Sequence, residues 1–491
     1  MSMMKEATPK SYRMLVMNTL AFTVAFAAWM LNGVLITFLV SNGVYNWSAV
    51  EMGTLIGVPV LTGALFRLPM GILTDKFGGK PVFTINLLVA ALGMFLLSKA
   101  DSYGDFLIAS LLFGTVGATF AVGIAFTSVW FPKERQGLAL GIFGAGNAGA
   151  AATTLLAPTI LKNLVADGTI EAWRQLPLMY AGMLVGMSII FFLLTENRKP
   201  DSSGRTLGQM LKPLKNIVVW RLGMYYFIVF GLFIAFSQWL VPYFVNVYAL
   251  PLVTAGLFAA AFSFPSGVIR ALGGYLSDKF GGKTVTFWVF VSAIVISSML
   301  MVPKMVVESP GKGILAKLPG TVTKVTKDTV EVTNPKAGVK VYKFTPKVGN
   351  IDPDTKEFLL LPHKEVVKEP VVKVGDKVIK KQLLVKGTTR IFFQANVWIF
   401  GILAVIVGAL WGIGKASVYK LIPEYYPQEV GVVGGIVGVL GGLGGFISPI
   451  IFGWLLELTG LWSSAWMFVL AVTLFAFVLL TKAMKDENAP R

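Results

Sequence analysis

The stretch RLPMGILTDKFGGK at residues 67–80 returns as RALGGYLSDKFGGK at residues 270–283, 203 residues further on. Arg67, Gly71, Asp75, Lys76, Phe77, Gly78, Gly79 and Lys80 are matched by Arg270, Gly274, Asp278, Lys279, Phe280, Gly281, Gly282 and Lys283. Upstream, Tyr45 and Gly53 find Tyr248 and Gly256 at the same offset. A chain that repeats itself in this way has two homologous halves. Each half sets one permanently charged guanidinium in an otherwise apolar run, where it is costly unless an anion sits beside it.

Around that repeat the 491-residue chain is 55% hydrophobic and only 14% charged, with a mean hydropathy of +0.71, which excludes an ordinary soluble domain. Apolar runs long enough to cross about 30 Å of hydrocarbon recur twelve times: roughly 14–40, 50–74, 82–100, 106–131, 137–162, 175–195, 218–246, 252–275, 284–303, 391–418, 431–457 and 463–483. The first is too long for the apolar core of a cleaved signal peptide. Lys10, Arg13, Lys76, Lys80, Lys133, Arg135, Arg198, Lys199, Lys279, Lys283, Lys420, Lys482 and Lys485 fall on one side of these runs, and the alternate short loops carry almost no basic residues. Both termini are therefore expected in the cytoplasm, and the chain in the inner (plasma) membrane. With no cysteine, disulfides, thiolate metal sites and cysteine nucleophiles are excluded. The net charge of +18 does not imply a nucleic-acid partner: basic loops hold much of it, and Lys304 to Arg390 carries 18 basic against 9 acidic residues, a surplus of +9.

The expected fold is an all-α membrane bundle of twelve helices in two six-helix repeats. A first bundle over 1–195 and a polar cytoplasmic linker over 196–217 are followed by a second bundle over 218–303 and 391–491, interrupted by a β-rich insert over 304–390. The fourth and tenth runs repeat at an offset of 295, Trp130, Phe131, Pro132 and Glu134 matching Tyr425, Tyr426, Pro427 and Glu429. The helices that follow are glycine-rich. Gly137, Gly141, Ala145 and Gly149 recur every four residues, as do Gly434, Gly438 and Gly442, and Gly144, Gly146 and Gly435 add to them. Small residues at that spacing let two backbones approach and slide, or simply pack tightly. In the insert, Thr329–Thr333 alternates polar and apolar residues strictly, and Thr321–Val325 and Val339–Phe344 do so in part, with Gly320, Asn334, Pro335 and Gly338 as punctuation. The run Val372 to Val378, continuing to Leu384, resembles the turn of small biotinyl/lipoyl-like barrel-sandwich domains, but lacks their modified lysine. A compact β-domain on the outer, periplasmic face is expected, since long loops escape the positive-inside rule.

Counting back from the cytoplasmic helix ends places Arg67 and Arg270 about 12 Å into the bilayer, Asn147 about 15 Å, Phe120 and Phe230 about 18 Å and Phe26 about 20 Å, with Tyr226 in between. These residues can form one layer near the midplane, where transporters built from repeats hold their substrate. Two facing guanidinium forks suit a small planar anion with several acceptor oxygens, an asparagine amide adds a neutral donor, and aromatic rings can stack on a flat π-system. The competing reading of each arginine is a buried salt bridge, but the acids near these helices, Glu51, Asp75, Asp278 and Glu457, all lie at helix ends. For Asn147 and for each aromatic taken singly, plain packing stays open.

The repeated Gly-x-x-x-Asp-x-x-Gly-Gly-Lys loops resemble the signature of the major facilitator superfamily. The midplane arginines, the run Gly141-x-x-Gly144-x-Gly146-Asn147-Ala148-Gly149 and the run Gly431 to Gly445 are similar to the nitrate/nitrite porter family, over about 400 residues that leave out only the insert. The resemblance implies a transporter whose two arginines clamp nitrate or nitrite, helped by Asn147, Tyr226, Phe230, Phe120 and Phe26. Asp75 and Asp278 are expected to latch the cytoplasmic face, or to be no more than tight charged turns.

Lys415 is the mate of Phe120 at the offset of 295 and falls at the same depth. A buried lysine, unlike arginine, can lose its proton near neutral pH, which makes Lys415 a coupling candidate; the other reading is snorkelling toward the cytoplasm. With no carboxylate or histidine at that depth, exchange of nitrate for nitrite competes with proton symport. Another small anion, such as formate or a dicarboxylate, or a nitrate sensor signalling through the insert, would use the same arginines. No nucleophile–base pair, metal cluster or cofactor motif occurs, so neither an enzyme nor a bound cofactor is expected. The expected partners are the anions, the bilayer and at most a periplasmic ligand of the insert, with the chain a monomer.

Overall fold

A computed structural model describes residues 8–199, 212–346, 363–393, 396–426 and 430–485. Most of the linker, residues 200–211, and the Pro427 and Glu429 side of the tenth-run repeat lie outside the described residues. The chain divides into a helical unit, Met1–Met301 with Gly401–Arg491, and a second unit, Val302–Phe400.

Among the described residues, eleven helices of the helical unit are long and apolar enough to cross a membrane: Pro9–Ser41 (span 1), Ala49–Phe77 (span 2), Gly79–Leu97 (span 3), Tyr103–Ser128 (span 4), Ala139–Leu164 (span 5), Ile170–Leu194 (span 6), Ile217–Tyr248 (span 7), Gly282–Leu300 (span 9), Val397–Tyr425 (span 10), Val432–Thr459 (span 11) and Ser464–Met484 (span 12). Span 8 is the pair Leu252–Val268 and Arg270–Phe280, bent by 43°, with Pro265 and Gly267 beside the bend. Gly78 and Gly281 end the repeated Asp-Lys-Phe turns at φ +87° and +86°, a backbone that side chains rarely adopt, which is why both copies of the repeat keep glycine there.

The two halves seal against each other at one end and stand apart at the other. At the sealed end the repeat mates Gly53 and Gly256 each lie on a backbone carbonyl of the opposite half, Pro449 and Thr154 respectively, with no room for a Cβ. Gly57 lies likewise on the Phe446 carbonyl. The Val50 N–H, at the start of span 2, donates to Glu457 of span 11 at 3.0 Å. At the end bearing the repeated Asp-Lys-Phe turns, Gly141 and Gly435 have nothing within 4 Å of where a Cβ would stand.

The second unit contains a sheet of order β1-β7-β5 (Met305–Leu315, Leu383–Phe393, His363–Pro370) and one of order β4-β3-β2-β6 (Gly338–Lys343, Thr329–Asn334, Gly320–Val325, Lys377–Val378). Val322, Val330, Val332, Tyr342, Leu384 and Val385 form its own apolar core. The partial alternation of Thr321–Val325 has a cause: the β2–β3 register shifts between Val322 and Lys324. One boundary differs from the expected run. The Ile391-Phe392-Phe393 triplet reads as the start of a membrane helix, but it closes strand β7, paired with Val307, Val306 and Met305 of β1, so span 10 opens only at Val397.

Candidate functional site

Arg67, Arg270 and Asn147 each stand on a turn where the span departs from a regular α-helix. Arg67 and Arg270 are the first residues of the second helical segments of spans 2 and 8, after breaks at Phe66 and Ile269. In span 2, Pro69 lacks the N–H that would bond the Leu65 carbonyl, and its ring crowds that carbonyl. Asn147 lies in a 3₁₀ turn, Ala145–Ala148; Phe120 follows another, Thr115–Ala118; and Phe230 sits inside a π-turn, Phe227–Leu232. Such departures free backbone groups and aim side chains, and within a membrane they are tolerated where the backbone is buried in protein or lines a cavity.

The two arginines meet over one ring. The guanidinium carbon of Arg67 is 5.3 Å from the Phe120 centroid and that of Arg270 is 5.9 Å from it, so their separation cannot exceed the total of those distances. Arg67 also lies 5.1 Å from the Phe230 ring, and Arg270 5.6 Å from Tyr419. Tyr226 stacks on Phe230 at 4.8 Å and 13° and meets Tyr419 edge-on at 4.8 Å. The ring faces supply cation–π attraction, which offsets part of the cost of two like charges in an apolar setting.

Among the described residues neither arginine pairs with a carboxylate. Arg67 is 3% exposed; its Nη1 donates to the Gly438 carbonyl at 2.6 Å, while Nε and Nη2 are buried without a partner. Nη1 of Arg270 and both amide atoms of Asn147 are likewise buried and unsatisfied. Unsatisfied buried donors cost about 1–3 kcal/mol each, more when charged, so an anion beside the two arginines would offset a cost that the protein alone leaves standing. Each arginine also crosses to the glycine helix of the other half: Arg67 reaches Gly438, and Arg270 lies 3.6 Å from where a Cβ on Gly144 would stand. The glycines clear room for the guanidinium groups as well as for helix contact.

Most of the expected residues come together; some do not. Phe26 stands behind Phe22 (5.6 Å), itself 5.6 Å from Phe120, and not against an arginine. Lys415 is fully buried and does not snorkel: its Nζ donates to Ser266 Oγ at 3.0 Å and lies 3.1 Å from the Phe233 centroid. Gly146 packs on Phe22 and Gly442 on Ala64. Asp278 pairs with Lys420 of its own half at 2.6 Å, while Asp75 lines the central cavity. Sequence reasoning missed Tyr419, whose hydroxyl donates to the Gly434 carbonyl at 3.1 Å; its one signal is its place a helical turn after Lys415.

A cavity of about 510 Å³ leads from Arg67, Phe120, Tyr419 and Gly438 past Gly71, Ile72 and Gly435 to Asp75 and Ser128, at the end where the halves stand apart. With Arg67 in its deep-end lining, Arg270 beside the Phe120 and Tyr419 rings that also line it, and no acid at that end among the described residues, the field there favours a small anion over a cation.

A sequence model of the Major Facilitator Superfamily matches residues 18–316 and 384–491. The chain is 35% identical to a probable nitrate/nitrite antiporter, NarK1, of Thermus thermophilus, over 99% of this chain and 95% of that protein. It is 26% identical to a nitrite extrusion protein of Bacillus subtilis, over 94% and 92%, and 25% identical to a probable nitrate transporter, NarT, of Staphylococcus epidermidis, over 98% and 99%. Among solved structures, a bacterial homologue of the human lysosomal transporter Spinster, inward-facing and occupied, aligns with a TM-score of 0.61 at 13% identity over 97% of this chain and 98% of that one. At that identity the likeness is one of fold alone.

Proposed function

Given that the chain belongs to the Major Facilitator Superfamily, within its nitrate/nitrite porter family, we propose that it carries nitrate and nitrite across the inner membrane by alternating access to one central anion site. The observation that carries this reading is the pair of guanidinium groups, one from each half, 5.3 and 5.9 Å from the Phe120 centroid and each with a buried donor that has no partner. The free Nε–Nη2 edge of Arg67 offers two parallel N–H bonds to two oxygens of a planar oxyanion, Nη1 of Arg270 and the Asn147 amide reach the remaining acceptor positions, and the Tyr226–Phe230 stack offers a flat face.

The cavity opens toward the end with the basic loops, taken here as the cytoplasm. To reopen on the other side, the halves must close over the arginines and strip them of water. Empty, that step buries two unpaired charges, at a cost of several kcal/mol per ion; an anion between them offsets it. Exchange follows, because only the loaded carrier crosses readily. The insert emerges on the periplasmic side and takes no part in this cycle. Lys415, buried and without a carboxylate partner among the described residues, favours one second reading, in which its ammonium gives and takes a proton during symport.

Uptake of labelled nitrate into proteoliposomes tests both. Exchange requires internal nitrite or nitrate and ignores a pH gradient; symport responds to the gradient with an anion-free interior. Formate or a dicarboxylate that competes better than nitrate would reassign the substrate. Arg67→Lys keeps the charge but loses the fork, and should weaken nitrate binding by about 10- to 100-fold.

A further inference from the structure

The seal between the two halves holds a polar side chain that the transport site does not use. Gln238 of span 7 is fully buried where spans 1 and 2 of the other half close on it. Gly33 of span 1 lies against its stem, and a Cβ there would come within 2.6 Å of the Gln238 Cβ. Its amide faces the carbonyl of Ile56, which sits between Gly53 and Gly57, the span 2 glycines that rest on carbonyls of span 11. One turn before Gln238, on the side of the arginines, Ile234 and Val60 of span 2 both crowd Gly445. Once the halves part at this end, an anion leaving the arginine pair passes the Val60–Ile234 constriction and meets Gln238.

The other buried amides supply the comparison. Asn18, Asn32 and Asn86 each donate to partners in their own half at 2.6 to 3.0 Å, which fixes them as packing. Asn147 and Gln238 hold no such bond. Asn147, in the anion site, has no partner, and Gln238 reaches the Ile56 carbonyl of the opposite half only at 3.5 Å, with its own oxygen unpaired. A bond that long contributes little, and a leucine would fill a similar volume without burying an amide. The donors of Gln238 are thus weakly engaged in this conformation and come free when the halves separate. We propose that Gln238 is an outer anion-binding residue: with the sealed end open, its amide N–H groups hold the planar oxyanion on its way between the outer water and the arginine pair. A neutral donor suits that place, because a third cation there would grip the anion and slow its release. This inference rests on the transport reading above.

The test measures nitrate exchange by the full-length protein in right-side-out and in inverted membrane vesicles, with the anion on the far side saturating, which gives a KM at each face. Gln238→Leu should raise KM at the sealed-end face by about tenfold and leave KM at the cavity face unchanged. Gln238→Asn, which keeps the donor on a shorter stem, should raise it less. Gln238→Met, apolar and unbranched, takes the place of the leucine variant if that one misfolds. The proposal is overturned if KM stays the same at both faces, or if Gln238→Asn is impaired as much as Gln238→Leu. It is also overturned if KM falls at the cavity face as far as it rises at the other, because the amide then acts only on the balance between the two conformations. If the wild type itself moves no nitrate, the transport reading falls and this inference with it; wild-type exchange that Gln238→Leu leaves untouched sinks this inference alone.

Discussion

Replacing Gly141 and Gly435 by alanine probes alternating access directly. Neither position has an atom within 4 Å of a Cβ in this conformation, so the two methyl groups cost almost nothing here. At the sealed end, glycines lie on backbone carbonyls with no space for a side chain. If the open end closes in the same manner in the opposite state, each methyl is forced against backbone there, at about 1–3 kcal/mol. One substitution then shifts the two-state equilibrium toward the present conformation by about 5- to 150-fold, and exchange slows in proportion, with nitrate binding and thermal stability retained. The chain has no cysteine, so a single cysteine at Ile72, on the cavity wall, reports opening by its rate of maleimide labelling. Labelling should be preserved or faster in Gly141→Ala/Gly435→Ala, and Gly53→Ala should slow it by unsealing the other end. Wild-type exchange in the double variant, or a loss of stability matching the loss of turnover, would refute the reasoning.

Three further outcomes are expected. Gly438→Ala places a Cβ 3.2 Å from Arg67 Nη1 and 3.1 Å from the Tyr419 hydroxyl; both neighbours are side-chain tips that yield, so melting temperature should barely move while nitrate affinity falls about tenfold. Lys415→Met replaces a buried ammonium by an apolar group of similar length and should not lower stability; if nitrate uptake keeps its full response to a pH gradient in that variant, Lys415 plays no part in coupling. Deletion of 304–390, joined by a short flexible linker, should leave nitrate exchange within about twofold, because among the described residues those in contact with the arginines, Phe120, Phe230, Tyr419 and Gly438, belong to the helical unit; a complete loss in a folded variant would tie the insert to transport.

The repeat was legible because a charge in an apolar run is rare, and because Gly78 and Gly281 sit at backbone angles that discourage any replacement. The depth count brought Arg67, Arg270, Asn147, Phe120, Phe230 and Tyr226 to one layer, since helical rise is constant. It could not say which residues touch. The π-turn at Phe227–Leu232 and the 3₁₀ turns before Phe120 and around Asn147 rotate side chains away from ideal helical positions, and no periodicity marks them. The bond from Arg67 to the Gly438 carbonyl joins residues 371 apart, and tyrosine near a helix end reads first as an interfacial anchor, which hid Tyr419. The start of span 10 is not legible in the sequence, because a strand of β-branched and aromatic residues and a membrane helix look alike over a few positions.

The account rests on one anion held by both forks together, and a structure of the protein bound to nitrate tests it most directly. The expected result is a single planar anion above the Phe120 ring, within hydrogen-bonding distance of both Arg67 and Arg270. An anion on one arginine alone, or two anions each on its own guanidinium, would contradict it.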